Sequence, residues 1–212
     1  MTRRTLATLA LTAACVAGLP ACVPLIATGV GTGVASTLDR RTYGTQLMDQ
    51  EIEIRVMRGI NARFDNQVDI STTAYNGWVV LSGQASSEAF RAEAEKIALD
   101  TPNVRKVFNE VTVGWPASFS SGANDRLITS KIKTRLFDPE LSGISGHHVK
   151  IVTEAGTVFM LGMLTEAESR IAIDIARTTT GVQKVVNLFE IISEEDARRL
   201  TQPPTSNPSS VR

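Results

Sequence analysis

Residues 77–83 read GWVVLSG and residues 156–162 read GTVFMLG, an apolar run closed at both ends by glycine and met twice at an offset of 79. Downstream, KVFN at 106–109 returns as KVVN at 184–187 with an offset of 78. Upstream, Ile52, Val56 and Ile60 align with Ile128, Ile132 and Leu136 at a constant offset of 76. Three matches in the same order at nearly one spacing make an internal duplication with a unit of about 70 residues.

Each unit reads in one order. Ile52, Val56 and Ile60, or Ile128, Ile132 and Leu136, recur at i, i+4, i+8, the apolar stripe of an amphipathic helix (roughly 49–63 and 125–137). A strand follows at VDIST (68–72) or VKIVT (149–153), then a tight hairpin in which Asn76-Gly77 or Ala155-Gly156 supplies positive φ angles. WVVLS and TVFML alternate little, which predicts strands buried on both faces. A second helix spans about 86–100 and 165–179, with Ser86 and Thr165 as N-caps, Glu88 and Glu166 in the first turns, and Pro102 and Gly181 as stops. Last come VRKVFNEVTV and VQKVVNLFEII, with one apolar face at period two. The order αββαβ implies an α+β fold: twice over, a three-stranded sheet with two helices on one face.

The segment before the repeats reads as an export signal. Arg3 and Arg4 are followed by a 12-residue apolar stretch, Leu6 to Ala17, too short to span a bilayer. The signal ends in LPAC, Leu19 to Cys22, which resembles the bacterial lipobox, whose cysteine is acylated and becomes the first residue. The chain has two cysteines, and Cys15 falls inside the discarded segment. Cys22 is then the one thiol left, and acylation accounts for it. Val23, in place of an aspartate that would retain the protein in the inner membrane, directs it to the outer membrane. The division is therefore a signal peptide at 1–21, a lipidated tether at 22–45, repeat units at 46–114 and 124–192, a linker at 115–123 in which Trp115 and Phe119 can pin the units together, and a short helix with a disordered tail at 193–212.

The αββαβ unit with its Gly-apolar-Gly second strand and Val-x-x-Val-x-Asn third strand resembles the BON domain. Two copies behind a lipobox are similar to the dual-BON outer-membrane lipoproteins of Gram-negative bacteria. TAYNG (73–77), LSGQ (81–84) and NDRLITSKI (124–132) agree with that likeness. The resemblance implies a lipid-anchored protein of the periplasmic face of the outer membrane. It also implies binding of anionic phospholipid through the second BON domain, support of envelope integrity, and a link to outer-membrane protein assembly.

Net charge is zero, from 22 Lys+Arg and 22 Asp+Glu, so nothing global draws the chain to nucleic acid and any electrostatic function is local. The first helices differ locally. Asp49, Glu51 and Glu53 balance Arg55, Arg58 and Arg63 in the first unit, while Arg126, Lys131, Lys133 and Arg135 face Asp125 alone in the second. Leu127, which replaces Glu51, points about 100° from the buried stripe and lies one turn from Lys131. A leucine among cations suits the boundary between head groups and acyl chains. Each cation contributes about 1 kcal/mol near an anionic surface, and burial of one leucine roughly 1.5–3 kcal/mol. Stable attachment therefore falls to the acyl chains on Cys22. Arg126, Leu127, Lys131, Lys133 and Arg135 are the candidate phospholipid contacts, against the plainer reading that Leu127 is an ordinary exposed residue or packs on the other unit.

No enzymatic constellation emerges. His147 and His148 are the two histidines, adjacent in or near a strand and facing opposite ways, so the sequence offers no metal set and no cofactor site. Glu93 with Glu95, and Glu166 with Glu168, face apart at i, i+2 on helices. Asn109 and Asn187 read as structural. The second reading is a protein-interaction scaffold for outer-membrane assembly proteins, with Tyr75, Trp78 and Val80 near the first hairpin as contacts.

Overall fold

The computed structural model describes residues 39–64, 67–114 and 120–201, all within one compact unit, Ala35–Arg212. The signal segment, Cys22, Trp115, Phe119 and the tail from 202 lie outside the described residues. The first repeat runs α1 (Tyr43–Phe64), β1 (Val68–Tyr75), β2 (Trp78–Ala85), α2 (Glu88–Leu99) and β3 (Lys106–Val113). The second runs α3 (Ser120–Leu136), a short α4 (Pro139–Ser142), a 3-10 turn (Gly146–His148), β4 (Val149–Glu154), β5 (Thr157–Leu164), α5 (Glu166–Arg177) and β6 (Lys184–Ile191), and α6 (Glu194–Thr201) follows. In each sheet the middle strand, β2 or β5, pairs antiparallel with the strand before it and parallel with the strand after α2 or α5.

The helix stripes form one core per repeat. Ile52, Val56 and Ile60 close over Val79, Leu81 and Val111; Ile128, Ile132 and Leu136 close over Val158, Met160 and Phe189. The weak alternation of β2 and β5 has its reason in a third core. Tyr75 and Val80 from the helix-free side of the first sheet pack with Phe159, Leu161 and Leu188 from that of the second. Both faces of the central strands are thus buried, one under helices and one against the other repeat.

Tyr75 and Val80 are 3% and 2% exposed, so they hold the repeats together and are not open to a partner protein, which corrects the contacts expected at the first hairpin. Trp78 beside them is half-buried, its ring 5.4 Å from that of Phe108.

Polar contacts rim the seam. Lys150 pairs with Glu53 at 2.6 Å and donates to the Ala74 carbonyl. Glu190 accepts from Asn76 at 2.7 Å and pairs with Arg105 at 3.1 Å. Arg40, in the stretch just before α1, reaches across to Glu168 and to the Met163 carbonyl, 2.7 Å each. Its neighbour Arg41 pairs with Asp49 and lies 3.8 Å over the Tyr75 ring.

The paired glycines have separate causes. Gly77 and Gly156 sit at φ 73° and 75° in the two-residue hairpins, each after a second left-handed residue, Asn76 or Ala155. Gly83 and Gly162 lie where a Cβ would strike neighbouring backbone, at the Asp69 carbonyl on β1 and the His148 carbonyl just before β4. Some local expectations shift. The N-cap of α2 is Ser87, whose hydroxyl accepts from the Phe90 amide, rather than Ser86. The first helix starts six residues earlier than its apolar stripe implies, and the two histidines fall in the 3-10 turn, with His147 exposed and His148 buried.

Candidate functional site: the outer faces of the leading helices

Helix α3 buries Ile128, Ile132 and Leu136 to 1% or less and leaves Leu127 53% exposed. Arg126, Lys131 and Lys133 are exposed, and among the described residues none of them joins an ion pair. Arg135 is placed differently. Its guanidinium donates to the Ile175 carbonyl at 2.6 Å and to Thr179 Oγ1 at 2.8 Å, so it ties α3 to the last turn of α5, where a cation also satisfies orphan carbonyls.

Asp125, the one acid of this helix, is turned inward. Its two carboxylate oxygens accept from the Ala155 and Gly156 amides, each at 2.9 Å, and the residue is 5% exposed. The hairpin consumes its charge. Asp49 does the same in the first repeat, accepting from Asn76 and Gly77 at 2.7 and 2.8 Å. An aspartate in the second turn of each leading helix thus clasps the hairpin of its own sheet. This repeated contact was hidden in the sequence because carboxylate and turn lie nearly thirty residues apart.

Two more apolar residues are exposed at the C-terminal end of α3. Phe137, directly after its last residue, is 48% exposed and meets His147 edge-on with ring centres 4.7 Å apart; Leu141 on α4 is 63% exposed. Leu127 and Phe137 are ten positions apart, about 15 Å along a helix axis, with Lys131 and Lys133 between them. The helix expected over 125–137 includes Phe137, but its apolar stripe ends at Leu136 and gives Phe137 no role. The available signal was the doublet Leu136-Phe137, since neighbours on a helix diverge by about 100° and cannot share one buried face.

The matching face of α1 differs in kind. Glu51 pairs with Arg55, Arg63 with Glu93, and Glu53 with Lys150, so most of its charge is neutralised locally. Between these pairs Tyr43, Leu47, Ile54 and Met57 are 43% to 63% exposed in one stripe. The two copies of one helix thus present an apolar stripe whose flanking charges are mostly paired and an apolar, cationic face.

The BON domain family model matches residues 49–114 and 124–193, both repeats and most of the described chain. The chain belongs to the BON-domain family. It is similar to the outer membrane lipoprotein DolP of Haemophilus influenzae, 30% identical over 177 residues that cover 82% of this chain and 90% of that protein. It is similar also to a 21 kDa hemolysin of Actinobacillus pleuropneumoniae, 32% identical, covering 73% of this chain and 80% of that one. The osmotically-inducible protein Y of Escherichia coli is 30% identical, with 74% and 78% covered. A BON tandem whose relatives include an outer-membrane lipoprotein is thus the frame for its function. Among the described residues no helix is long and apolar enough to cross a membrane, and no three His, Cys, Asp or Glu side chains gather as a metal set.

Proposed function

We propose that this chain is an outer-membrane lipoprotein, held at the periplasmic face by acyl chains on Cys22. In this reading its second BON domain contacts anionic phospholipid through α3 and so supports envelope integrity. The observation that carries the reading is the exposed Leu127 among three cations that lack acidic partners among the described residues, on a helix whose one acid is buried under a hairpin. Arg126, Lys131 and Lys133 meet phosphates, Leu127 and Phe137 enter the boundary of head groups and acyl chains, and Arg135 fixes the helix against α5. The role is binding and not catalysis. Attachment rests on the acyl chains, and the helix selects the anionic lipid around them.

The experiment is charge reversal. Lys131→Glu together with Lys133→Glu in the non-acylated mature chain should reduce co-sedimentation with vesicles rich in phosphatidylglycerol at least tenfold, and high salt should reproduce the loss in the parent. Vesicle binding that survives both changes refutes the reading.

A second reading, a scaffold for outer-membrane assembly proteins, draws on a different observation. The stripe Tyr43, Leu47, Ile54, Met57 recurs at intervals of seven and three or four, spacing that suits a partner helix better than a lipid surface.

A further inference from the structure

The two repeats diverge at one more place, the groove between the second helix and the third strand. In the first repeat the groove is plugged. Asn109 on β3 donates through Nδ2 to Glu95 and to the Arg91 carbonyl on α2, 3.0 Å each, and Arg91 donates back to the Asn109 carbonyl at 3.3 Å. The offset of 78 carries Asn109 to Asn187, Glu95 to Ile173, Arg91 to Ser169 and Leu99 to Arg177. Lysine is kept, as Lys106 and Lys184.

The consequences are visible in the second repeat. Asn187 retains the bond that fixes its orientation, Oδ1 accepting from the Phe189 amide at 3.0 Å, as Asn109 does from Val111 at 3.3 Å. Its Nδ2 has no acceptor among the described residues, because the carboxylate that holds Asn109 has become Ile173. In place of the plug lies a half-open depression of about 320 Å³, walled by Ile173, Val182 and Val185 and rimmed by the exposed side chains of Arg177, Lys184, Gln183 and Asn187. No carboxylate lines it, and neither Arg177 nor Lys184 joins an ion pair among the described residues.

We propose that this groove is an anion site for a phosphate ester of glycerol size. Arg177 and Lys184 supply two positive charges, Arg177 with the planar fork that matches phosphate oxygens. The amides of Asn187 and Gln183 donate to the remaining oxygens, and the carbon arm lies on Ile173 and Val185. The site sits at the β6 side of the sheet, whereas α3 packs over β4 at the other side, so it is separate from the helix face assigned above and does not rest on that reading. Its ligand chemistry has two sources, a soluble glycerophosphate and the head group of a phosphatidylglycerol-type lipid.

The test is nitrogen-15 NMR of the side-chain amides of Asn187 and Gln183 in the full mature chain, titrated with glycerol 3-phosphate and, separately, with nanodiscs of phosphatidylglycerol. Saturable shifts with the first indicate the soluble source, and shifts only with nanodiscs indicate the lipid. Ile173→Glu, which restores the plug of the first repeat, and the exposed substitution Arg177→Gln should each weaken the response roughly tenfold, while Leu127→Glu leaves the glycerol 3-phosphate response unchanged. No shift from either titrant, or shifts that both groove variants leave intact, overturn the proposal.

Discussion

Arg40 and Glu168 form a two-pronged ion pair, both arms 2.7 Å, that joins the stretch before the first repeat to the first turn of α5 in the second. Glu168 also closes a capping box by accepting from the Thr165 amide at 2.8 Å, so one carboxylate serves a helix terminus and the inter-repeat seam together. The Arg40 side chain is only 4% exposed. Its removal leaves Glu168 largely buried without its cation, and Arg40→Ala should cost about 3 kcal/mol, read as a lowered urea midpoint.

The same corner makes stability depend on pH. Burial and the nearby Arg40 charge hold the His148 imidazole below its usual value, more than Glu168 and Asp39 raise it. Burial pushes the Glu168 carboxyl up, but the hydrogen bonds from Arg40 and Thr165 and the charges of Arg40 and His148 outweigh it and leave it below the ordinary glutamate value. Both shifts act in one direction. As pH falls below the ordinary histidine value of 6.5, the unfolded chain takes up a proton that the folded chain resists, so stability declines. It declines further below 4.5 as Glu168 is forced to protonate. Urea midpoints measured from pH 8 to 4 should fall with this sign, and His148→Phe should flatten the upper limb while leaving the lower one.

Packing across the two sheets predicts joint unfolding. Phe159 is 3% exposed within the shared core, and Phe159→Ala should cost about 3–5 kcal/mol. Because that core is the apolar part of the seam, with only rim polar contacts such as Lys150–Glu53 and Arg105–Glu190 beside it, calorimetry of the variant should resolve two transitions where the parent shows one.

The helix stripes and strands were legible because each rests on periodicity within a few residues, and the duplication because motifs such as GWVVLSG and GTVFMLG return in the same order at offsets of 76 to 79. The face-to-face packing of the sheets was half legible: WVVLS and TVFML announced burial on both sides, but what covers the second side is a contact between residues such as Val80 and Phe159, far apart in sequence. Arg40 and Asp125 were illegible for a related reason. A charged side chain beside a helix start reads as solvated until the fold brings its partner, Glu168 or the Gly156 amide, within reach. Leu127 and its cations were readable from helical angle alone, and the doublet Leu136-Phe137 carried the same kind of signal for Phe137.

Ala155 offers a stabilising change. It sits at φ 46°, in the left-handed region where a Cβ is penalised, and the Asp125 clasp holds it there. Ala155→Gly should raise stability by about 1 kcal/mol, and Asp125→Ala should lower it by about 2 kcal/mol as two turn amides lose their acceptor, both read by thermal melting.

The division of labour between the two leading helices is tested most directly by flotation of the non-acylated mature chain with vesicles containing phosphatidylglycerol, comparing Leu127→Glu with the matched substitution Leu47→Glu on α1. Loss of flotation in the Leu127 variant alone, with circular dichroism unchanged in both, is the predicted result. Flotation that survives Leu127→Glu, or that Leu47→Glu abolishes instead, contradicts it.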